Sequence, residues 1–566
     1  VRNKALIATV NQHLRHLYTG ERLQEALQLF DRYLERFAAP IGRRSALSER
    51  TVYLITYGDA FYDDSRPGLQ VLNELLRRSV GDLITDIHLL PMFPFSSDDG
   101  FAVEDYLKIN PELGTWRDID RLAERYRLMF DFVANHSSTA NAWFHKFLEQ
   151  EAGYQEAYVE EKDDFDTSRV IRPRTSPLFH HYKNDQGKVF SVWTTFSADQ
   201  VDNNFNDPKT LFRMTKILLT YVARGASSIR LDAVGFLWKK SGTTCMHLAE
   251  THEIVRLWRS LLDGLAPNTQ IITETNVPET ENLSYFGNGV NETNQVYQFP
   301  FPPLVLYAMT VNNSDVLSRW AQRLKPVSPS ATYFNFLASH DGIGLRPVEG
   351  ILTETDREML VKKVLENGGA VSYKTNQHGG RSVYELNLNY GDALKNKGES
   401  DGLVARKLIA AHHILFSLLG VPAIYYHSLF GSRSDIAGMA ATGQKRRINR
   451  ERLDARALME ELKRDPYRRS VYEGITKLLK LRRNEDAFNP YGDQQVLSIS
   501  SDVFALRRRN PQTGHTCLSY TNLTAHEVSI PAPDGTELIA GRRIRRQRLN
   551  LTPYGTAWLK PAGDEA

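Results

Sequence analysis

A chain of 566 residues, 41% hydrophobic and 24% charged, has the composition of an ordinary globular protein, long enough for a large core and an appended domain. A net charge of +3 is too balanced for nucleic acid to be the main partner, and no run of about 18 apolar residues marks a membrane span. The expected substrate is a small molecule.

Residues 1–47 place Leu14, Leu17, Leu23, Ala26, Leu27, Leu29, Phe30, Tyr33 and Leu34 at helical spacing, which predicts a helical extension packed on the main body. No leader-like combination of basic residues, apolar core and small-residue cleavage site precedes it, so cytoplasm is the expected compartment. Eight short apolar or β-branched runs follow: 52–56, 87–92, 128–134, 228–231, 270–273, 295–299, 333–337 and 421–426. Helical stretches separate most of them, the pattern of βα units, and eight parallel strands close a (β/α)8 TIM barrel, an α/β fold. The predicted barrel occupies 48–136 and 196–485. The intervals 137–195, after the third strand, and 345–405, after the seventh, are too long for simple crossovers and are expected to build walls or a lid over the catalytic face. The second interval carries a turn-rich tip, His378-Gly379-Gly380-Arg381. From 486 to 566, short alternating segments between Gly, Pro and Asn turns predict a small C-terminal β-domain. Its run Arg542-Arg543-Ile544-Arg545-Arg546-Gln547-Arg548 lacks interleaved aromatics and reads as a solvated strand or turn. Cys245 and Cys517 stand far apart in chemically plain surroundings, as two buried reduced thiols would.

Three of the strands end in an acid. Arg230-Leu231-Asp232 sets arginine and carboxylate on one strand face, where the cation is expected to lower the carboxylate pKa and keep a nucleophile ionised. Ile271-Ile272-Thr273-Glu274 exposes an acid at a strand tip beside Thr275-Asn276-Val277-Pro278. A desolvated carboxyl there, facing a second carboxylate, has its pKa raised toward the range of a general acid. Ser339-His340-Asp341-Gly342 adds a third acid and an imidazole. Asp131 to His136 ends the third strand in an amide and a second histidine, and Asp98 to Phe101 adds a carboxylate and a ring after the second. Taken singly, each has a plain structural reading: a barrel ion pair, a capping glutamate, a core histidine, a solvated acidic loop. Together they put polar groups from five strands at one barrel face, which is what retaining glycosidic-bond chemistry needs. No Cys/His cluster or EF-hand loop predicts a metal.

In this order, Asp131, Asn135-His136, Arg230-Leu231-Asp232-Ala233, Glu274 and His340-Asp341 resemble the α-amylase superfamily, glycoside hydrolase family 13. Leu54-Ile55-Thr56-Tyr57, Ile171-Arg172-Pro173-Arg174, His340-Asp341-Gly342-Ile343-Gly344, Gly420 to Tyr425 and Arg446-Arg447-Ile448-Asn449-Arg450 are similar to its sucrose-phosphorylase branch. The resemblance implies Asp232 as nucleophile, Glu274 as acid/base and Asp341 as transition-state stabiliser. It implies that Asp98, Phe101, His136, Arg230, His340 and Arg446 surround the glucosyl ring, and that Arg174 approaches phosphate, a substrate and not a cofactor. Of cofactors and metals it implies none, and it leaves monomer or homodimer open. Thr275-Asn276 and Tyr384-Glu385 depart from the Val-His and Tyr-Gln of sucrose phosphorylases at the leaving-group side. There, with Asn282 to Gly287 and Gly431-Ser432-Arg433-Ser434-Asp435, the sequence looks most like glucosylglycerate phosphorylases, whose leaving group is D-glycerate. The arginines and amides of these loops are the expected donors to that anion. Phosphorylases of glucosylglycerol, sucrose or sucrose 6-phosphate, and α-glucoside hydrolases or transglucosidases, are the alternatives.

Overall fold

The computed structural model describes residues 2–37, 40–375, 380–545 and 547–563. Its centre is a closed barrel of eight parallel strands, β1 Tyr53–Thr56, β2 Asp86–Leu89, β3 Arg127–Phe132, β4 Ala226–Leu231, β5 Gln270–Thr273, β6 Gln295–Tyr297, β7 Thr332–Phe336 and β8 Val421–Tyr425. Each pairs with its neighbours in chain order and β8 closes onto β1. This is the predicted barrel, with strand ends within three residues of those read from the sequence. The runs overshoot where polar tips leave the ladder. After β3, for example, the Ala134 carbonyl accepts from Asn203 Nδ2 at 2.8 Å and the Asn135 carbonyl from the Asn203 backbone N–H at 2.8 Å, which takes that backbone out of the sheet.

Two helices, α1 Arg2–Leu17 and α2 Gly20–Leu34, precede the barrel. They bury Val10, Leu14, Leu17, Ala26, Phe30 and Leu34 against the barrel helices. Phe30 meets the Phe212 ring edge-on at 5.3 Å, and the Tyr18 hydroxyl donates to the Phe205 carbonyl at 2.7 Å.

After β3, strands His136–Ser138 and Gln200–Asp202 pair antiparallel and enclose a helix, Ala142–Leu148, and a hairpin, Phe179–Lys183 with Val189–Trp193. Phe144, Phe147, Tyr158, Phe190 and Val201 form a small core of their own. After β7, Ile343–Gly344 pairs with Arg381–Asn387, which pairs in turn with Ala370–Thr375. The tip residues His378 and Gly379 lie outside the described residues, as does Arg546 of the basic run. A six-stranded antiparallel sheet and a two-stranded ribbon form the C-terminal part. It is pinned to the barrel where the Trp558 indole donates to Ser417 Oγ at 2.8 Å and His413 Nδ1 meets Thr521 Oγ1 at 2.9 Å. Cys245 and Cys517 are both buried free thiols. Among the described residues, no helix is long and apolar enough to cross a membrane.

Candidate active site

β3 and β4 lie in register with Asp131 opposite Arg230, and this pairing starts a chain of buried charges. His88 Nε2 sits 2.6 Å from Asp131 Oδ2, Asp131 pairs with Arg230, and Arg230 Nη1 reaches Asp232 Oδ1 at 2.9 Å. The other end of the same guanidinium lies 3.6 Å from Glu274 Oε2, and its Nε donates to the Tyr297 hydroxyl at 3.2 Å. Past Asp232 the backbone turns sharply, with Ala233 left-handed at φ 47°, and its N–H donates to Glu274 Oε2 at 3.3 Å. Arg230 therefore lies beneath both carboxylates and holds them together.

Burial pushes the Asp232 carboxyl well up, against Arg230, with Glu274, Asp131 and Asp341 adding to the rise. Arg230 pulls it down, as expected, but burial and the neighbouring carboxylates outweigh that pull, so the net shift is upward. The guanidinium is shared with Asp131 and Glu274, so its charge is already balanced when Asp232 meets it. Burial also raises Glu274, again against Arg230 and helped by Asp341, as expected of an acid/base. Asp341 goes the other way. Burial raises it, but Arg446 first, with Arg450, overcomes that and holds it far below the ordinary carboxylate range. Arg446 Nη1 is 2.6 Å from Asp341 Oδ1 and Arg450 Nη2 3.7 Å.

Around the acids, His340 stacks on Phe101 with ring centres 4.9 Å apart, and burial pushes its imidazole well down. His136, lowered by the same cause, donates from Nε2 to the Phe101 carbonyl at 3.1 Å. Both rings are thus neutral at neutral pH, suited to directional bonds with hydroxyls. Asp98 and Asp99 are left-handed at φ 54° and 47°, a backbone shape that Asp tolerates better than most residues. Arg450 fastens this turn through Asp99 at 2.7 Å and ties it to β7 by donating to the His340 carbonyl at 2.7 Å.

On the opposite wall Arg174 lies over the rings of Phe196 and Tyr384, 5.4 Å from each. Glu385 accepts from Arg446 through both oxygens, at 2.7 and 3.1 Å. Asn276 Oδ1 is buried with no hydrogen-bond partner, against the backbone of Gly344. Asp98, Phe101, His136, Arg174, Asp232, Glu274, Asn276, His340, Asp341, Tyr384, Glu385 and Arg446 all line one cavity at the C-terminal end of the barrel, with Arg230 under its floor.

Arg433, offered by its loop as a donor to the leaving group, does not line this cavity. It pairs with Asp392 at 3.0 Å and Asp401 at 2.8 Å and stacks on Tyr467 at 3.5 Å, which turns it to a structural task. Asn282 is likewise spent, bonding Thr275 Oγ1 and the Tyr297 carbonyl. Sequence reasoning missed Gln200, Phe196, Tyr297, His88 and Arg346. The first two reach the site only when the insertion folds back, Tyr297 and His88 only when the barrel closes, and none sits in a distinctive motif. Asp131 and Arg450 stood inside runs already singled out, but as members without a role.

A (β/α)8 barrel presenting carboxylates from β4, β5 and β7 in one cavity, with arginine beneath, defines a glycoside-transforming enzyme of the α-amylase type. The family model "Alpha amylase, catalytic domain" matches residues 80–348. The chain is 40% identical to the glucosylglycerate phosphorylase of Escherichia coli (strain K12) over 97% of its length and 96% of that relative. It is 41% identical to the glucosylglycerate phosphorylase of Spirochaeta thermophila over 97% of each. The crystal structure of a sucrose 6F-phosphate phosphorylase from Thermoanaerobacter thermosaccharolyticum shares the fold, with TM-score 0.75 and 23% identity over 90% of this chain and 99% of that one. The chain belongs to the α-amylase family, in its sucrose-phosphorylase branch and alongside the glucosylglycerate phosphorylases.

Proposed function

We propose that the protein catalyses phosphorolysis of 2-O-α-D-glucosyl-D-glycerate to α-D-glucose 1-phosphate and D-glycerate, with retention, by double displacement. The observation that carries this reading is identity of 40% and 41% to two glucosylglycerate phosphorylases over 97% of the chain. The geometry supplies a mechanism. Asp232 and Glu274 are both buried, share Arg230, and the Glu274 charge raises Asp232 further, which favours one proton held by the pair. In this reading the charge sits on Asp232, which Arg230 approaches more closely, 2.9 against 3.6 Å, and the proton on Glu274.

Asp232 attacks the anomeric carbon while Glu274 passes its proton to the departing glycerate oxygen, forming a glucosyl ester on Asp232. Phosphate then enters on the vacated side. Glu274 removes a proton from it, the phosphate oxygen attacks the anomeric carbon, and the ester bond to Asp232 breaks, inverting the centre a second time. Asp341, held ionised by Arg446 and Arg450, opposes the positive charge that develops on the ring. His136, His340, Asp98 and Arg446 bond the sugar hydroxyls, and Phe101 packs beside the ring. Arg174 faces the entering phosphate.

The test is phosphate release from glucose 1-phosphate with D-glycerate, glycerol, fructose or fructose 6-phosphate as acceptor. D-glycerate is expected to give the highest kcat/KM. Preference for another acceptor would move the protein to a sister activity, and full turnover of a glucoside without phosphate would make it a hydrolase.

A further inference from the structure

The arginines at this site divide into two sets. Arg230, Arg446 and Arg450 are each paired with carboxylates, so their charge is spent on the site itself. Arg174 and Arg346 also line the cavity, and among the described residues neither has a carboxylate within ion-pair distance. The reaction read above handles two anions in turn, phosphate and glycerate. Arg174 is held between two rings. Arg346 is the guanidinium that no motif or role accounts for.

Its position follows from backbone contacts. Arg346 opens a short 3-10 turn, Arg346–Val348, directly after the strand Ile343–Gly344. Gly344 packs so tightly on Asn276 that an added Cβ would lie 2.8 Å from Asn276 Oδ1, and Leu345 N–H donates to the Tyr384 carbonyl at 3.1 Å. Asn276 is two residues beyond Glu274, the group that protonates the departing oxygen. Arg346, Asn276 and Tyr384 thus share the wall on the leaving-group side of the acid. Glu281, whose carboxyl feels the Arg346 charge, stays beyond ion-pair distance and is taken by His247 at 3.3 Å. A half-buried guanidinium without a counterion, next to an amide oxygen without a donor, matches a small ligand carrying one carboxylate and one hydroxyl.

We propose that Arg346 binds the carboxylate of the leaving group and so determines the choice of an anionic over a neutral acceptor, an assignment that rests on the glucosylglycerate reading. The test compares kcat/KM for D-glycerate and for its neutral amide, D-glyceramide, in the glucose 1-phosphate direction. Arg346→Gln is expected to reduce the glycerate-to-glyceramide ratio about 10- to 100-fold, as loss of a charge-assisted hydrogen bond does. Arg346→Lys, which keeps charge without the fork, is expected to fall between the two and decides the matter if the Gln variant fails to fold. A ratio unchanged from wild type, whether both acceptors survive or both are lost, overturns the assignment. A wild-type enzyme that rejects D-glycerate while accepting a neutral polyol overturns instead the functional reading on which it rests.

Discussion

Asp232 and Asp341 are both aspartates at strand ends with an arginine within 3 Å, yet their carboxyls move in opposite directions. The difference is how many cations each carboxylate meets. Asp232 meets Arg230, which it shares with Asp131 and Glu274, whereas Asp341 is reached by two arginines, Arg446 and Arg450. Such a division suits a group that must become covalently bound and another that must stay charged throughout. Asp232→Asn is expected to reduce turnover about 10³-fold or more. Intact-mass measurement after mixing with an activated glucosyl fluoride should then show no glucosyl adduct, where the wild type accumulates one. A persistent adduct would place the nucleophile elsewhere. The acids themselves were legible because a strand that ends in a carboxylate is a local pattern. The direction of the Asp232 shift was not, since it depends on Asp131 and Glu274 arriving from other strands.

At the scale of elements, the barrel strands were readable because continuous apolar runs of four to seven residues separated by helical stretches permit little else. The walls were readable only as intervals too long to be crossovers. That one would be a helix-and-hairpin unit with its own aromatic core, and the other a hairpin continuing from β7, depends on pairings between distant residues. The N-terminal helices show the same limit: their apolar stripe announced packing, but not its partner. That partner includes the helix Pro208–Ala223, through the Phe30–Phe212 contact. Phe30 is fully buried, so Phe30→Ala is expected to cost about 3–5 kcal/mol of stability. A thermal melt should show the lower Tm while the KM for glucose 1-phosphate stays at its wild-type value, because the contact is remote from the cavity. A melt like that of the wild type would mean that the helix pair contributes little to the cooperative unit.

For the molecule as a whole, three histidines are buried, His412 and His413 on the helix Asp401–Ser417 and His427 just after β8. Burial pushes His412 down to about 4 and His413 and His427 to about 3. In the unfolded chain each imidazole binds a proton near its ordinary value of about 6.5, and in the folded protein only far below it. Between those values the unfolded state holds more protons, so stability falls as the pH drops from about 6.5 toward 4, by roughly 1.4 kcal/mol per pH unit for each group. Tm is expected to decline over that window, and His413→Gln to flatten the decline. An unchanged slope in that variant would remove His413 from the account. The sequence by itself determined the barrel, the three strand-end acids and the family, because each is written in residues close together along the chain. Only the tertiary structure decided how one buried arginine is divided among three carboxylates, that Arg433 is withdrawn from the site, and that Arg346 lines the cavity with no carboxylate of the described residues within ion-pair distance. Those facts belong to charges brought together by barrel closure and loop return, where burial strengthens every pairing and the sum of neighbours, not any one motif, sets the outcome.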